Sequence, residues 1–341
     1  MIAAYLAEPG KIEFREVPVA EPAKGEVVVK IKAALTCGTD LKAFQRGHPM
    51  IPMPGRFGHE FSGIIAKTGK GIKKFKEGDE VMGVHSAPCL HCPYCLRKFY
   101  NLCENIMSTK VLGSYAEYLV IPEHIARQNF FKKPSRLTFQ EAAFLEPLAC
   151  VVHGMAGLKI KKEDTVLIIG TGPIGLLHLL MAKSKGARVM VSGRSRPRLD
   201  FALGLGADSA VEANGLDSAV KEFTKGLGMD YVFECTGQLS VWESSLNFSR
   251  RGGTVVLFGG VKGGTSASFD THRLHYDEMT VKGVFHFSPS DVKEAFSILC
   301  AGLPVKRLIS GSYALRELPV ALHRLGEGDG LKFIIEPENA I

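Results

Sequence analysis

The sequence predicts an α/β protein of two domains, in which a domain built on a parallel sheet is inserted into a mostly β domain. Residues 1–148 are rich in short β-type runs separated by Gly and Pro turns. From about residue 164, apolar strands alternate with helical segments, a pattern typical of a doubly wound parallel sheet covered by helices. The segment 290–341 is too short to fold alone, so we expect it to return to the first domain.

These observations divide the chain into a first domain at 1–148, an inserted domain at 149–289 and the returning segment at 290–341. The β-type runs of the first domain are 26–31, 63–66 and 115–120. The strands predicted in the inserted domain are 166–169, 188–191, 231–233, 254–258 and 280–284. In the returning segment we predict a helix over 291–300 and a strand over 331–335.

Composition narrows the class of protein. Apolar residues make up 45% and charged residues 23% of the 341 residues, which is the balance of a globular protein. We see neither a signal-like start nor an uncharged apolar run of about 18 residues, so a cytoplasmic protein that does not enter the membrane is expected. The net charge is +7, but the lysines are scattered among 35 acidic residues, which argues against a nucleic-acid partner.

A glycine-rich turn indicates a dinucleotide site. The strand 166–169 runs into Gly170-Thr171-Gly172-Pro173-Ile174-Gly175 and then into a helical run at 176–185. In such a turn the first glycine allows the bend, the second admits the pyrophosphate and the third lets helix and strand pack closely, while the helix N-terminus faces the phosphates. The candidates from these segments are Gly170, Gly172, Pro173, Ile174, Gly175 and Gly259, which follows the strand 254–258.

The end of the next strand favours NADP over NAD. An NAD site normally carries Asp or Glu there to hold the ribose hydroxyls, whereas this chain has Gly193. Arg194, Ser195 and Arg198 follow and can donate hydrogen bonds to a 2′-phosphate. The alternative is that the arginines are solvated and that NAD is used.

Four of the eight cysteines lie within fifteen residues and predict a structural zinc site. They are Cys89, Cys92, Cys95 and Cys103. Without a secretory signal, metal ligation is a better interpretation of this spacing than disulfides. Because four thiolates complete a tetrahedral zinc, the site has no position for substrate and serves to order a lobe at 86–107.

A second metal site is suggested by Cys37 and His59, each on a turn between β-type segments. A catalytic zinc needs about three protein ligands and one open position. Glu60 and Glu146 are the candidate oxygen ligands. Buried cysteines and core histidines without a metal are common, so this pair alone leaves the interpretation open.

Taken together, the motifs resemble the zinc-containing medium-chain dehydrogenases, especially the sorbitol, threonine and galactitol-phosphate dehydrogenase branch. The resemblance covers essentially the whole chain. It is carried by Cys37-Gly38-Thr39-Asp40, Gly58-His59-Glu60, Gly78-Asp79-Glu80-Val81, the four cysteines, Glu146-Pro147-Leu148-Ala149 and residues 170–175.

The resemblance implies a GroES-like catalytic domain with an inserted Rossmann domain, two zinc ions per chain, and a homodimer or homotetramer. It implies that Cys37 and His59 bind the catalytic zinc, with Glu60 or Glu146 completing or exchanging at the site. Zinc would then act as a Lewis acid on an alcohol whose hydride leaves for the nicotinamide. Thr39 matches the position whose hydroxyl passes the proton outward, and His48 is a candidate for the end of that relay.

The predicted function is therefore a zinc-dependent oxidoreductase that moves a hydride between a secondary alcohol and NADP(H). Alternatives are an NAD-dependent polyol or threonine dehydrogenase and an NADPH-dependent quinone or enoyl reductase, whose relatives lack the zinc residues. A zinc-stabilised nucleic-acid-binding protein would not explain the glycine-rich turn. The sequence leaves open whether the substrate is a free polyol, a sugar phosphate, threonine or a simple secondary alcohol.

Overall fold

The computed structural model describes residues 1–337. The first part of the chain forms β1 (Ile2–Glu8), β2 (Lys11–Glu16), β3 (Val27–Leu35), α1 (Gly38–Arg46), β4 (Gly55–Arg56), β5 (Glu60–Thr68), β6 (Glu80–Val84), α2 (Pro93–Leu96), β7 (Tyr118–Ile121), α3 (Glu123–Asn129), β8 (Phe130–Lys132), α4 (Phe139–Ala142) and α5 (Leu145–Met155). The middle part forms β9 (Thr165–Ile169), α6 (Pro173–Ser184), β10 (Arg188–Gly193), α7 (Arg196–Gly204), β11 (Ser209–Glu212), α8 (Leu216–Phe223), β12 (Met229–Glu234), α9 (Leu239–Ser244), β13 (Ser249–Leu257), α10 (Thr271–Tyr276) and β14 (Thr280–Gly283). The last part forms α11 (Pro289–Cys300), β15 (Ile309–Ala314), α12 (Leu318–Glu327) and β16 (Lys332–Glu336).

The chain divides into two compact units. The first contains Met1–Val152 and the residues from His286 onward, and the second is His153–Phe285. The sequence placed these boundaries at 148/149 and 289/290, a few residues away. Of the segment predicted at 290–341, the last four residues lie outside the described part of the chain.

The first unit is built on two sheets. One has the order β15-β16-β3-β5-β6-β8, with β7 also paired to β3, and the other has the order β2-β1-β4. The returning strand β16 pairs antiparallel with β3, so the C-terminal segment does complete the sheet of the N-terminal part. The core contains Val29, Ile31, Phe61, Tyr115 and Phe333, all essentially inaccessible to solvent. This is the mostly β domain that the sequence predicts.

The second unit contains a six-stranded sheet of order β11-β10-β9-β12-β13-β14. Every neighbouring pair in it is parallel. Strand order reverses between β9 and β12, which is the switch point at which doubly wound sheets bind their ligands. The predicted strands at 166–169, 188–191, 231–233, 254–258 and 280–284 all fall on strands of this sheet, with ends that differ by up to five residues. The predicted α/β class and its doubly wound parallel sheet are confirmed.

Local sequence explains where the later helices begin and end. Ser288 and Asp291 form a reciprocal capping box at the start of α11, and Pro289 occupies its first turn, where no hydrogen bond is lost. Helix α12 ends at Gly328, whose left-handed conformation favours glycine. Within residues 1–337, none of the helices has the length and apolar composition that crossing a bilayer requires.

Candidate functional site

The four cysteines of the lobe come together as the spacing predicts. Their Sγ atoms all lie within 4.8 Å of one another. Cys89 is partly exposed, and the other three pack with Ile106 in a small cluster of their own. Backbone N–H groups favour the thiolate here: burial raises the pKa of Cys89, but hydrogen bonds from His91 and Cys92 outweigh it and lower the pKa to about 6. The group is suited to a closed tetrahedral metal site.

A second group of ligand-type atoms lies in the first unit, around His59. The donor atoms of Cys37, Asp40 and His59 lie within 4.8 Å of one another, and so do those of His59, Glu60 and Glu146. His59 therefore belongs to both groups.

Three segments supply these side chains. Cys37 caps α1, where its Sγ accepts the N–H of Thr39 at 3.4 Å. His59 and Glu60 stand at the start of β5, and Glu146 lies in the first turn of α5. The cluster thus forms where the N-terminal ends of one strand and two helices meet.

The Asp40 carboxylate lies beside the His59 ring. Its Oδ1 lies 3.4 Å from His59 Nδ1 and has no hydrogen-bond partner, while its Oδ2 accepts the Tyr115 hydroxyl at 2.8 Å. Burial lowers the pKa of His59, but the charges of Asp40 and Cys37 outweigh it and raise the pKa well above its usual range. A carboxylate beside Nδ1 leaves the other ring nitrogen available to a metal, which is the usual arrangement at metal sites.

The two glutamates differ sharply in their surroundings. Both carboxylate oxygens of Glu60 accept hydrogen bonds from Lys332, one of them at 2.6 Å, and both side chains are buried. Lys332 also donates to the Thr36 carbonyl at 3.0 Å. Glu146 has no lysine or arginine partner among the described residues; His85 Nδ1 lies 3.6 Å from its Oε1. Burial, helped by the charge of Glu60, raises the pKa of Glu146 to about 7.

The proposed proton relay is only partly visible. The Thr39 side chain is half-buried beside Cys37, and His48 Nδ1 accepts the N–H of Met50 at 3.2 Å. Within residues 1–337 no hydrogen bond joins the Thr39 hydroxyl to His48. The relay through His48 stays a prediction.

In the second unit the glycine-rich turn has the predicted strand, turn and helix around it. Gly170 follows β9 with a φ of 122°, a conformation that favours glycine. A Cβ on Gly175 would lie 1.9 Å from the Gly170 carbonyl oxygen, so only glycine lets α6 approach the strand this closely. Gly172 caps α6 and faces open space, and Pro173 begins the helix. The free N–H groups of this helix end can bind a phosphate.

The predicted 2′-phosphate residues lie between β10 and α7. Gly193 ends the strand, Arg194 is exposed and Ser195 caps α7 without using its side chain. Arg198 is half-buried in the first turn of that helix, and burial lowers its pKa. A Cβ on Gly193 would lie 2.8 Å from Thr171 Cγ2, so packing against the glycine-rich turn also favours glycine there.

Gly259 has a packing reason for being glycine. A Cβ there would lie 2.2 Å from the Gly237 nitrogen and 2.8 Å from Glu234 Oε2. Its carbonyl accepts the Trp242 indole N–H at 2.8 Å. These contacts join the turns after β12 and β13; contact with a cofactor stays a prediction.

Comparisons with known proteins show the family to which this chain belongs. A family profile described as zinc-binding dehydrogenase matches residues 173–300, and one described as alcohol dehydrogenase GroES-like domain matches residues 23–133. The sorbitol dehydrogenase of Halalkalibacterium halodurans is 32% identical over 337 residues, covering 96% of each chain. The chain belongs to the zinc-binding dehydrogenase family.

Other relatives of this dehydrogenase act on related compounds or have a cofactor bound. The D-arabitol-phosphate dehydrogenase of Enterococcus avium is 32% identical, with 96% of this chain and 94% of that protein covered. A Sinorhizobium meliloti protein described as a zinc-binding dehydrogenase, solved with NADP bound, superimposes with a TM-score of 0.89 at 30% identity, covering 98% and 99% of the two chains. The chain is thus a zinc-binding oxidoreductase of the polyol dehydrogenase type, as the motifs predict.

Sequence reasoning missed several residues of this dehydrogenase that the structure places beside the sites. Asp40 ends the motif Cys37-Gly38-Thr39-Asp40, but the motif alone does not indicate its place beside His59. Lys332 had a usable signal, because a lysine in the apolar run 331–335 needs a buried partner. His85 gave none, since its position beside Glu146 depends on tertiary folding.

Proposed function

We propose that the protein oxidises a secondary alcohol group of a polyol with NADP, using a zinc ion held by Cys37, His59 and Glu146. The observation that carries this proposal is the buried cluster of ligand-type atoms around His59. One thiolate, one imidazole and one carboxylate form a donor set that suits zinc and leaves a position open for substrate. The unpartnered Asp40 Oδ1 beside His59 supports the fit, because a metal-binding histidine needs such a partner.

Zinc bound there would act as a Lewis acid that lowers the pKa of the alcohol hydroxyl. The protein's own part is to hold the alcohol oxygen at the open position and to remove its proton. We assign the proton transfer to the Thr39 hydroxyl, because Thr39 is half-buried and its backbone is fixed to Cys37 Sγ. The hydride would pass to the nicotinamide from the carbon that bears this hydroxyl group.

Of the two glutamates, Glu146 is our choice as ligand. Both oxygens of Glu60 are already engaged by Lys332, whereas Glu146 forms no ion pair with a lysine or arginine of residues 1–337 and has the rings of His59 and His85 beside it. Burial destabilises the charged form of this carboxylate, and a divalent ion at that place would remove the penalty. Glu60 would then stand close by and bind the metal only when Lys332 releases it.

His85 favours a polyhydroxylated substrate. Its ring centre lies 5.1 Å from that of His59, and its Nδ1 is buried with no hydrogen-bond partner. Burial, followed by the charge of His59, holds the pKa of His85 well below its usual range, so the ring is neutral near pH 7. A neutral ring nitrogen beside the metal ligands can hydrogen-bond a hydroxyl next to the reacting carbon. The sorbitol and D-arabitol-phosphate relatives support the same substrate class.

For the cofactor we propose NADP. The end of β10 offers Arg194, a free Ser195 hydroxyl and Arg198 at the start of a helix, and no carboxylate at Gly193. These donors suit a 2′-phosphate. The NADP in the Sinorhizobium meliloti relative supports the assignment.

One observation favours NAD as a second candidate. Glu212, at the end of β11, is paired in register with Gly193. A carboxylate there stands on the neighbouring strand, from which it could accept hydrogen bonds from ribose hydroxyls and repel a 2′-phosphate. Parallel assays with the two cofactors decide between them.

We propose a second, structural zinc on Cys89, Cys92, Cys95 and Cys103, so that each chain binds two. We also propose a homodimer or homotetramer, which light scattering tests. Elemental analysis of the purified protein should give about two zinc ions per chain.

The test is nicotinamide reduction, followed by absorbance with NADP⁺ and NAD⁺ in parallel. Sorbitol, a polyol phosphate, threonine and 2-butanol are the substrates to compare, each before and after treatment with a chelator. We expect chelator-sensitive turnover with NADP⁺ and a polyol. Turnover with 2-butanol but none with any polyol would contradict the role given to His85.

His85→Phe is the matched variant, because it keeps a planar ring and removes the ring nitrogens. Losing one hydrogen bond to a neutral partner costs about 1 kcal/mol, so kcat/KM for sorbitol should fall by about fivefold to tenfold. For 2-butanol, kcat/KM of the variant should stay within about twofold of that of the unchanged protein. Equal losses for both substrates would mean that His85 supports the site and does not select the substrate.

A further inference from the structure

The first unit contains a cavity of about 220 Å³ that shares no residue with the proposed metal cluster. Its walls are mostly apolar and include Val17, Val19, Val28 and Leu119. The lining carries two cationic groups, the Arg56 guanidinium and the N-terminal ammonium of Met1, which donates to the Val17 carbonyl at 2.8 Å, and no aspartate or glutamate lines the cavity. The cavity therefore combines an apolar interior with a positive charge.

Arg56 is held in place by backbone groups alone. It lies in β4, paired with Tyr5 of β1, and its Nη2 donates to the carbonyls of Gly113 at 3.3 Å and Tyr118 at 3.0 Å. Its Nε is buried without a hydrogen-bond partner. Burial lowers the pKa of the guanidinium, and no carboxylate of residues 1–337 forms an ion pair with it.

Two other partly buried arginines, Arg250 and Arg273, each pair with an aspartate. Arg250 Nε lies 2.6 Å from Asp230, and Arg273 Nε lies 2.8 Å from Asp277. A half-buried guanidinium without a carboxylate is costly, because neither water nor an anion fully replaces its lost hydration. Arg56 thus brings to the wall of this cavity a positive charge that no carboxylate of residues 1–337 neutralises, and an anion from solution can supply the neutralising charge.

We propose that this cavity is a second binding site, which takes a small monocarboxylate with a short aliphatic chain. The carboxylate would pair with the Arg56 guanidinium, and the chain would lie against Val17, Val19, Val28 and Leu119. A volume of about 220 Å³ corresponds to about seven water-sized groups at roughly 30 Å³ each. Pentanoate, with seven non-hydrogen atoms, fits this description.

The experiment is calorimetric titration of the zinc-loaded protein with pentanoate, with pentanamide as the uncharged ligand of matched shape. We expect one pentanoate per chain with a Kd on the order of 1 mM, because a ligand of this size gains limited free energy per atom. Pentanamide should bind about tenfold more weakly, since it cannot form the charge-assisted pair. Equal binding of the two ligands, or no binding of pentanoate, overturns the proposal.

Two variants locate the site. Arg56→Met removes the charge and keeps an apolar stem, and it should weaken pentanoate binding by about tenfold. Because it also removes two bonds to backbone carbonyls, Val19→Phe is the second variant; it fills the cavity and leaves the contacts of Arg56 intact. Pentanoate binding that persists unchanged in Val19→Phe, as a carboxylate bound at the proposed zinc would, also overturns the proposal.

Discussion

The buried pair between Lys332 and Glu60 offers the sharpest test of the proposed metal site. Lys332→Met removes the cation and keeps most of the side-chain volume. The two side chains are 3% and 1% exposed, so the remaining Glu60 carboxylate cannot be hydrated. Breaking a buried ion pair on one side typically costs about 3–5 kcal/mol. We expect a loss of that size in the free energy of unfolding.

The double variant Lys332→Met with Glu60→Gln separates the pair from simple packing. It leaves no unpaired charge, so it should be more stable than Lys332→Met alone, with a coupling energy of at least about 2 kcal/mol. Urea unfolding of the zinc-loaded protein, followed by circular dichroism, measures all four states of this cycle.

Lys67→Met is the matched control. Lys67 pairs with Glu21 on the surface, where the side chains are 41% and 78% exposed. An exposed pair contributes about 0–1 kcal/mol. If Lys332→Met cost no more than Lys67→Met, or if the Lys332 and Glu60 changes were additive, our account of why Glu60 is withheld from the metal would be wrong.

Three further predictions concern the sites. With a pKa of about 7, Glu146 carries a proton at pH 6 that zinc must displace. Zinc binding to Glu146→Gln should therefore release about one proton fewer than binding to the unchanged protein at pH 6, and the same number at pH 9, as calorimetric titration in buffers of different ionisation heat measures. Equal proton release by the two proteins at pH 6 would exclude Glu146 as a ligand. Gly193→Asp should shift the ratio of kcat/KM for NAD⁺ to kcat/KM for NADP⁺ by about tenfold or more in favour of NAD⁺. Gly193→Ala places the same Cβ against Thr171 and should lower kcat/KM for both cofactors by the same factor. Identical effects of the two variants would mean that position 193 has only a steric role. Cys92→Ser should lower the zinc content by about one per chain and destabilise the first unit by several kcal/mol, while Cys300→Ser keeps both zinc ions; an unchanged zinc content in Cys92→Ser would refute the structural site.

Much of the fold could be predicted because its signals are local. The run 166–169 is apolar on both faces, as a central parallel strand requires, and the glycines that follow it need conformations or approaches that only glycine allows. The four cysteines within fifteen residues are close in space because they are close in sequence. The chain position at which the inserted unit begins was less exact, because α5 continues across it without a break in pattern.

The second group of candidate metal ligands could be predicted only in part. Cys37 and His59 stand in motifs that the sequence displays, and the structure brings their donor atoms together with those of Asp40. The division of labour between Glu60 and Glu146 could not be predicted, because Lys332, which engages Glu60, lies 272 residues away in the chain. The roles proposed for His85 and Arg56 likewise could not be predicted, because they depend on neighbours that only the tertiary structure brings close.

The sequence by itself determined the α/β class and the zinc-binding dehydrogenase family, and it supplied the candidate residues for a metal and a dinucleotide. Those features rest on short motifs, whose chemistry depends on residue type and spacing. The tertiary structure alone decided which carboxylate is paired with lysine, which ring nitrogen is left without a partner and where an arginine is buried without an acid. Burial and charge pairing depend on segments that are distant in the chain, and no local pattern encodes them.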